Sequence, residues 1–389
     1  MPITKSPLKA SHLSLYLEDH KGIVFHKINH SLYYLPTLSV AILFSIDDGH
    51  SQQTTLNNIA KECRLPKQQL EPIYNEIKTL FNQQNKLSTY LDGRYPEFDS
   101  SAEQLDSTQV AYFQIANTTF SINTQDEDLF KAILELLAPC SINSDKADFV
   151  ITIAKDDESY QILSNGILVE KELNFEHVMP LIIDRLQILS FQKSDYTFCF
   201  HGAALCMSQG TLLLPGKSGS GKSTLSAVLA SEHSSVFSDE IIAFNKDFKL
   251  CHLSLPIAVK SGSWQSLENQ YPNLKETPIW HRLDGRYLRY IWPDPSNLRQ
   301  VIAKDVTAKV LLINPQYISE SRPRCESKPL TVIETITTLI ESGYQLGFEL
   351  NESEFEAFLS FIQNVPCYQL CYTNSQLALD KIDELWQQL

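Results

Sequence analysis

The sequence contains no Cys-x-x-Cys pair, no apolar run of the ~18 residues that a membrane span needs, and no surplus of positive charge. Its eight cysteines (Cys63, Cys140, Cys199, Cys206, Cys251, Cys325, Cys367 and Cys371) are scattered, most of them in apolar runs such as "YTFCFHGAALCM". No histidine cluster completes a zinc site beside them. Buried, reduced thiols are the expectation. The stretch "MPITKSPLKASHLSLYLEDH" lacks the apolar centre of a signal peptide. A cytoplasmic protein with no membrane partner is therefore expected. Against 32 Lys and Arg stand 46 Asp and Glu, a formal charge of −14. That balance argues against a sequence-blind grip on nucleic acid, which needs cations facing phosphates. Low-complexity blocks are missing too. What remains is a globular composition, 43% hydrophobic over 389 residues, long enough for two or three domains.

Pattern divides the chain into four parts. In residues 1–90, "GIVFHKINHSLYYLP" reads as two short strands about a polar turn. Pro36 and Thr37 open an apolar helix stopped by Asp47, Asp48 and Gly49. "TTLNNIAKEC" follows as a second helix with Thr54 or Thr55 as its cap. A third carries Leu70, Ile73, Tyr74, Ile77, Leu80 and Phe81 at helical spacing. The order predicts a small winged-helix-like module. Residues 91–109, rich in Ser and acids with Gly and Pro, read as a linker. Residues 110–195 alternate strands and helices, with hairpin turns at Asp156-Asp157 and Asn165-Gly166, and form an α+β lead-in. Residues 196–389 give strands and helices in alternation, an α/β pattern.

In this last part lies "LLLPGKSGSGKSTLSAVLA". Gly216 to Ser223 match G-x-x-x-x-G-K-[ST] in full. Glycines at 216, 219 and 221 let backbone N–H groups turn toward phosphate oxygens. The following helix adds the positive end of its dipole. Lys222 can reach β- and γ-phosphates, and the Ser223 hydroxyl suits Mg²⁺. An apolar strand precedes, and an amphipathic helix with Leu225, Val228 and Leu229 on one face follows. The residues expected to hold the nucleotide are Gly216, Ser218, Gly219, Ser220, Gly221, Lys222, Ser223 and Thr224. Asp239 and Glu240 close a strand 16 and 17 residues after Ser223. There a Mg²⁺ partner or a base must sit, although strand ends carry solvated acids for no such reason. His201-Gly202 stands 15 residues before Gly216, as an active-site or a structural histidine.

The series "FHGAAL…GKSGSGKSTLSAVL…FSDE" resembles the HPr kinase/phosphorylase superfamily, whose catalytic domain has the phosphoenolpyruvate-carboxykinase-like P-loop fold. The resemblance covers about 110–389 and is most specific over 198–262. It implies ATP and Mg²⁺ as cofactors and a Ser or Thr hydroxyl as acceptor. It makes Asp239 the catalytic base, places Glu240 with Ser223 on the metal, and gives His201 and Lys222 catalytic positions. The chain departs from true HPr kinases in having Thr224 where they have Glu, and no Glu-Ile-Arg-Gly after the acids. Phosphorolysis is therefore not expected. The chain is closer to the HPr-kinase-related kinases, with which it shares "LPIAVKSGS" (including Lys260), "INPQYI" and the ending "CYQLCYTNSQLALDKIDEL".

Residues 1–90 resemble PqqD-type peptide-recognition modules. Such modules bind a precursor-peptide leader as an added strand, with side chains in a groove beside the last helix. Together the resemblances imply a kinase acting on a ribosomally made precursor peptide held by its leader. A small-molecule kinase of the same fold and a nucleotide-binding scaffold without transfer are the alternatives. The segment "WHRLDGRYLRYIW" sets Arg282, Arg286 and Arg289 among aromatics. These arginines face a γ-phosphate or an acidic peptide, with Tyr287 and Tyr290 lining the acceptor groove, or else form an ordinary alternating strand. Lys260 is a phosphate contact or a surface lysine. The peptide, ATP against GTP, and a homo-oligomeric state stay open.

Overall fold

The computed structural model describes residues 12–18, 20–27, 31–82, 109–156, 159–193, 196–232, 235–253, 255–293, 309–342 and 351–389. The linker expected over 91–109 lies outside them except for Gln109, as does Asp157 of the expected turn. The chain is a mixed α/β protein with four sheets among the described residues, in two compact units. The first comprises the described parts of Met1–Leu91, Leu330–Thr337 and Gly347–Asn364. The second comprises those of Asp92–Pro329, Thr338–Leu346 and Val365–Leu389.

The first unit is an antiparallel meander, β1 (Leu13–Glu18), β2 (Lys21–His26) and β3 (Ser31–Pro36), with helices α1 (Thr37–Asp47), α2 (Gln52–Cys63) and α3 (Lys67–Asn82). β1 was not expected, although Leu13, Leu15 and Leu17 alternate with polar residues. Val24 and Leu35 bury one face of the sheet with Val40, Leu43, Leu56 and Leu70 of the helices. Strand alternation sends Ile23 and Phe25 to the other face, and these are buried too. There Phe25 stacks on Phe355 of the helix Glu352–Asn364, ring centroids 5.0 Å apart. Ser14 donates to Glu352 (3.0 Å) and Lys27 pairs with it at 2.6 Å. Glu18 accepts from the Ile333 N–H (2.9 Å) in the first turn of the helix Val332–Glu341. Two late segments that sequence pattern had left in residues 196–389 thus complete this unit. The α2 cap is Ser51, which accepts from Thr54 N (3.2 Å); Thr55 is buried and bonds Ser45 instead.

The second unit begins with a five-stranded sheet in sequential order: β4 (Gln109–Ile115), β5 (Thr118–Thr124), β6 (Phe149–Asp156), β7 (Ser159–Ser164) and β8 (Ile167–Leu173). Only β5 and β6 pair in parallel, with α4 (Glu127–Leu137) between them in sequence. Asp126 caps α4 by accepting from Leu129 N (2.9 Å). Asn165 (φ 49°) and Gly166 (φ 82°) make the expected hairpin turn. α5 (Phe175–Lys193) buries Val178, Met179, Ile182 and Leu186 in a core that also takes Ile241, Trp280, Leu288 and Tyr290.

The large sheet holds eight strands. β13 (Leu250–Cys251), β12 (Ile241–Phe244), β9 (Phe198–Cys206), β10 (Thr211–Pro215), β17 (Val310–Tyr317), β19 (Cys367–Tyr372) and β18 (Cys325–Pro329) lie in that order, and β11 (Ser235–Ser238) pairs with β9. A small sheet orders as β14 (Ile257–Lys260), β16 (Tyr287–Ile291) and β15 (Trp280–His281). α6 (Lys222–Glu232) buries every side chain from Leu225 to Ala230, so it is not the amphipathic helix expected. Segment 257–276 covers its far side, where Tyr271 donates to Ala227 O (2.8 Å). No disulfide joins the cysteines; Cys140 and Cys367 are buried, Cys63 is exposed and the rest are intermediate, so the expected burial holds outright for two. No helix among the described residues is long and apolar enough to cross a membrane.

Candidate functional site

β9 is the spine of the site. Residues 202–206 pair with β10 along one edge, and residues 198–201 pair with β12 along the other. His201 and Gly202 stand where the two ladders meet. The loop 216–221 leaves the end of β10, and Asp239 and Glu240 turn between β11 and β12. Both features therefore flank the same two residues. Gly216 N donates to His201 O (3.3 Å), and Gly202 N donates to Glu240 O (3.1 Å). This crowding requires glycine: a Cβ at 202 would lie 2.7 Å from Leu214 O and 2.8 Å from Pro215 Cα.

β10, β17 and β19 run parallel, so their carboxyl ends open on one side, where ligands bind in open α/β sheets. Tyr317 and Tyr372 end β17 and β19. Tyr317 N donates to Ser220 O (3.0 Å), the Tyr372 hydroxyl donates to Gly221 O (3.3 Å), and the rings meet edge to face at 5.8 Å. Gly221 has φ 95°, and a Cβ there would lie 2.5 Å from the Tyr372 oxygen. Sequence reasoning missed both tyrosines. The signal available was their place at the ends of apolar strands.

Lys222 opens α6 and is 4% exposed. Its Nζ donates to Gly216 O (2.6 Å) and Lys217 O (2.9 Å). Burial pushes its pKa down to about 8, against the pull of Glu240 and Asp239. Asp239 is 6% exposed, and neither carboxylate oxygen has a hydrogen-bond partner among the described residues. Burial, then the charge of Glu240, raises it to about 7. The Ser223 and Ser226 hydroxyls act in the other direction, near the carboxylate but short of hydrogen-bond geometry. Burial in the cavity wall also raises Glu240, with Lys222 and Lys260 opposing. Its side chain is 41% exposed, but into a concavity rather than to open solvent. His201 Nε2 lies 3.6 Å from Glu240 Oε2. Burial, then Lys222, Lys260 and Arg286, hold His201 down to about 4. The imidazole is therefore neutral at pH 7, and the contact is not an ion pair.

A cavity of about 930 Å³ opens over these groups, a size suited to a nucleotide and part of an acceptor. Ser218, Gly219, Gly221, Lys222, Ser223 and Thr224 line it, with His201 and Glu240; Gly216 and Ser220 of the same loop are not on its wall. Asp239 is not on the wall. The Thr224 hydroxyl is bonded to Ser263 (2.6 Å). Lys260, on the wall, meets the Ser218 hydroxyl at 3.2 Å. Arg282 reaches the cavity and forms a two-pronged bond to Asp184 (3.1 and 2.7 Å). Arg286 reaches it too and pairs with Asp284. Arg289 does not: it donates to Leu274 O and Thr277 O, 2.5 Å each, and lies 4.7 Å over the Trp264 ring. Tyr290 is 4% exposed and Tyr287 is 49% exposed, and neither is among the described residues that line the cavity.

The donor set fits a polyphosphate with a hard divalent cation. Lys222 and a glycine cradle could hold the phosphates. The Ser223 hydroxyl and the two unsatisfied Asp239 oxygens are the oxygen donors Mg²⁺ takes. No family model matches this sequence, and no curated protein matches it.

Proposed function

We propose that this chain is an ATP-dependent phosphotransferase of the P-loop class, related to the HPr-kinase-like enzymes, with an alcohol acceptor. One observation carries the reading: a buried ammonium, a loop hydroxyl and two carboxylates of raised pKa converge beside a single cavity. The nucleotide with Mg²⁺ supplies the phosphoryl group and leaves as the diphosphate. Lys222 neutralises phosphate charge, and Ser223 and Asp239 hold the cation. Glu240 takes the proton from the acceptor oxygen as that oxygen bonds to phosphorus. His201, neutral and 3.6 Å from Glu240, comes into hydrogen-bond reach of it by a small side-chain rotation and would then orient it. The resemblance assigned the base to Asp239 and the metal to Glu240. Their burial supports the exchange, since Glu240 faces the cavity and Asp239 sits behind the wall near Ser223.

In Glu240→Gln, transfer falls by ~10²–10⁴-fold, the range expected of a general base, while Mg·ATP affinity is kept. In Asp239→Asn, the Mg²⁺ requirement for nucleotide binding is lost. The reverse assignment follows if the two phenotypes trade places. The acceptor is the Ser or Thr hydroxyl of a ribosomally made peptide bound through its leader, a reading supported by the PqqD-like pattern of the first unit. Mass spectrometry of precursor peptides after incubation with Mg·ATP tests it, and the absence of any phosphate adduct rejects it. The alternative is a small-molecule kinase in which the first unit is structural. In that case turnover of a small alcohol does not change with a leader peptide present.

A further inference from the structure

Spacing in the sequence offers no zinc site, yet the fold brings three ligand-type side chains together. Glu176 and His177 lie in the first turn of α5, and His281 ends β15. One carboxylate oxygen and one nitrogen from each imidazole all lie within 4.8 Å of one another. Glu176 Oε1 stands 3.8 Å from His281 Nδ1, and the two imidazole rings are 6.1 Å apart at 59°. All three residues are half-buried.

The two ligand-bearing segments are held at this spacing by packing. The residues just before Glu176 and His281, Phe175 and Trp280, stack on each other at 5.5 Å. Trp280 is buried, and Phe175 also meets the edge of Tyr160 at 6.1 Å. The Tyr287 ring lies edge-on to His281 at 4.3 Å and limits how that imidazole can turn. Two nitrogens and one carboxylate oxygen are a donor set for zinc and related transition metals, with the remaining position left to water. Mg²⁺ and Ca²⁺ prefer oxygen alone. A tetrahedral centre with bonds near 2.0–2.1 Å needs donors about 3.3 Å apart. Half-buried side chains can close that distance by rotation while the backbone stays fixed.

We infer that Glu176, His177 and His281 form a binding site for a divalent transition metal, zinc by its donor set, apart from the phosphate-type loop. Its consequence is positional. The metal ties the start of α5 to the β15–β16 hairpin, whose turn carries Arg282 and Arg286 to the cavity. Farther along α5, Asp184 holds Arg282 through two bonds. The hairpin is then fastened to one helix at two points, and the metal sets where both guanidinium groups stand.

Full-length protein, dialysed against chelator and then buffer, is titrated with ZnCl₂ and, separately, with CoCl₂. One equivalent binds, excess Mg²⁺ does not compete, and the melting temperature rises. Glu176→Gln, His177→Ala and His281→Ala each weaken zinc by at least about tenfold, the scale on which zinc sites respond to altered coordination. The Co²⁺ adduct shows tetrahedral d–d bands without a thiolate charge-transfer band. A thiolate band assigns binding to the cysteines, and zinc affinity unchanged in the His177→Ala/His281→Ala double variant places it elsewhere; either overturns the inference. Failure of the wild-type protein to bind zinc does the same. Melting curves without metal show whether each variant is folded, and His281→Gln, closer in size, serves if His281→Ala is not.

Discussion

Lys222 and Asp239 are both buried, and burial moves one down to about 8 and the other up to about 7. Each shift makes a measurable prediction. The folded state holds the Asp239 proton more tightly than the unfolded chain does. Stability of the ligand-free protein therefore falls as pH rises from the ordinary aspartate range through about 7. Asp239→Asn has no such proton. It is expected to melt above wild type at pH 8, with a gain on the order of a few kcal/mol, and the gain should shrink toward pH 5. Thermal melts across that range check it. For Lys222 the sign is opposite. Above about 8 its amine is largely neutral in the folded protein, and a bound anion restores the ammonium. Proton uptake by the protein on binding inorganic triphosphate without Mg²⁺ should be larger at pH 8.5, where Lys222 is largely neutral, than at pH 6.5, where it is already charged. Calorimetry in buffers of different ionisation enthalpy reads the difference. The loop and the acid pair were legible in the sequence because spacing defines them. Which acid faces the cavity was not. β11 shifts register between Val236 and Ser238, and Ser238 bonds Ile241 to make the turn, so alternation cannot be counted through Asp239 and Glu240.

At the scale of elements, the site depends on pieces that only pair at a distance. β14 joins β16 across the whole segment 261–286, and no local pattern announces such a pairing. β10, β9 and α6 were readable because an apolar strand, a glycine loop and a helix follow one another directly. The segment around β16 was read either as arginines facing a phosphate or acidic peptide or as an alternating strand, and the fold sorts its arginines into two places. Arg282 and Arg286 turn to the cavity, while Arg289 braces the segment Pro272–Thr277 through two carbonyls and the Trp264 ring. Arg289→Ala leaves those carbonyls without their charged donor. It should lower stability by about 2–3 kcal/mol, the usual range for hydrogen bonds to charged groups together with a stacked cation. Denaturant titration measures this. The same substitution should leave the Arg282–Asp184 bond intact, so any nucleotide affinity lost follows from unfolding and recovers at lower temperature.

For the whole molecule, composition and pattern suggested modules in series along the chain, and the contacts form a different set. The first unit draws on three stretches, with Phe355 filling the face that Phe25 presents. Sequence alone could not show this, because the helix Glu352–Asn364 has an ordinary apolar stripe that fits many surfaces. Removing residues 1–90 would strip Phe355 of the ring it stacks on, so such a deletion tests folding rather than substrate choice. Phe355→Ala is the cleaner probe. It should cost about 3–5 kcal/mol, as large-to-small core changes do. Hydrogen exchange should show faster exchange at β1–β3 amides and unchanged protection at β9 and β10. If protection falls equally in both, the two units unfold as one.

The stacking of Phe25 on Phe355 also fixes an order of events during synthesis. At ordinary translation rates, tens of seconds separate the emergence of these two rings from the ribosome. Through that interval the β2 meander has only one of its faces covered. Strands made well before their covering helix are thus among the later parts of the chain to finish folding.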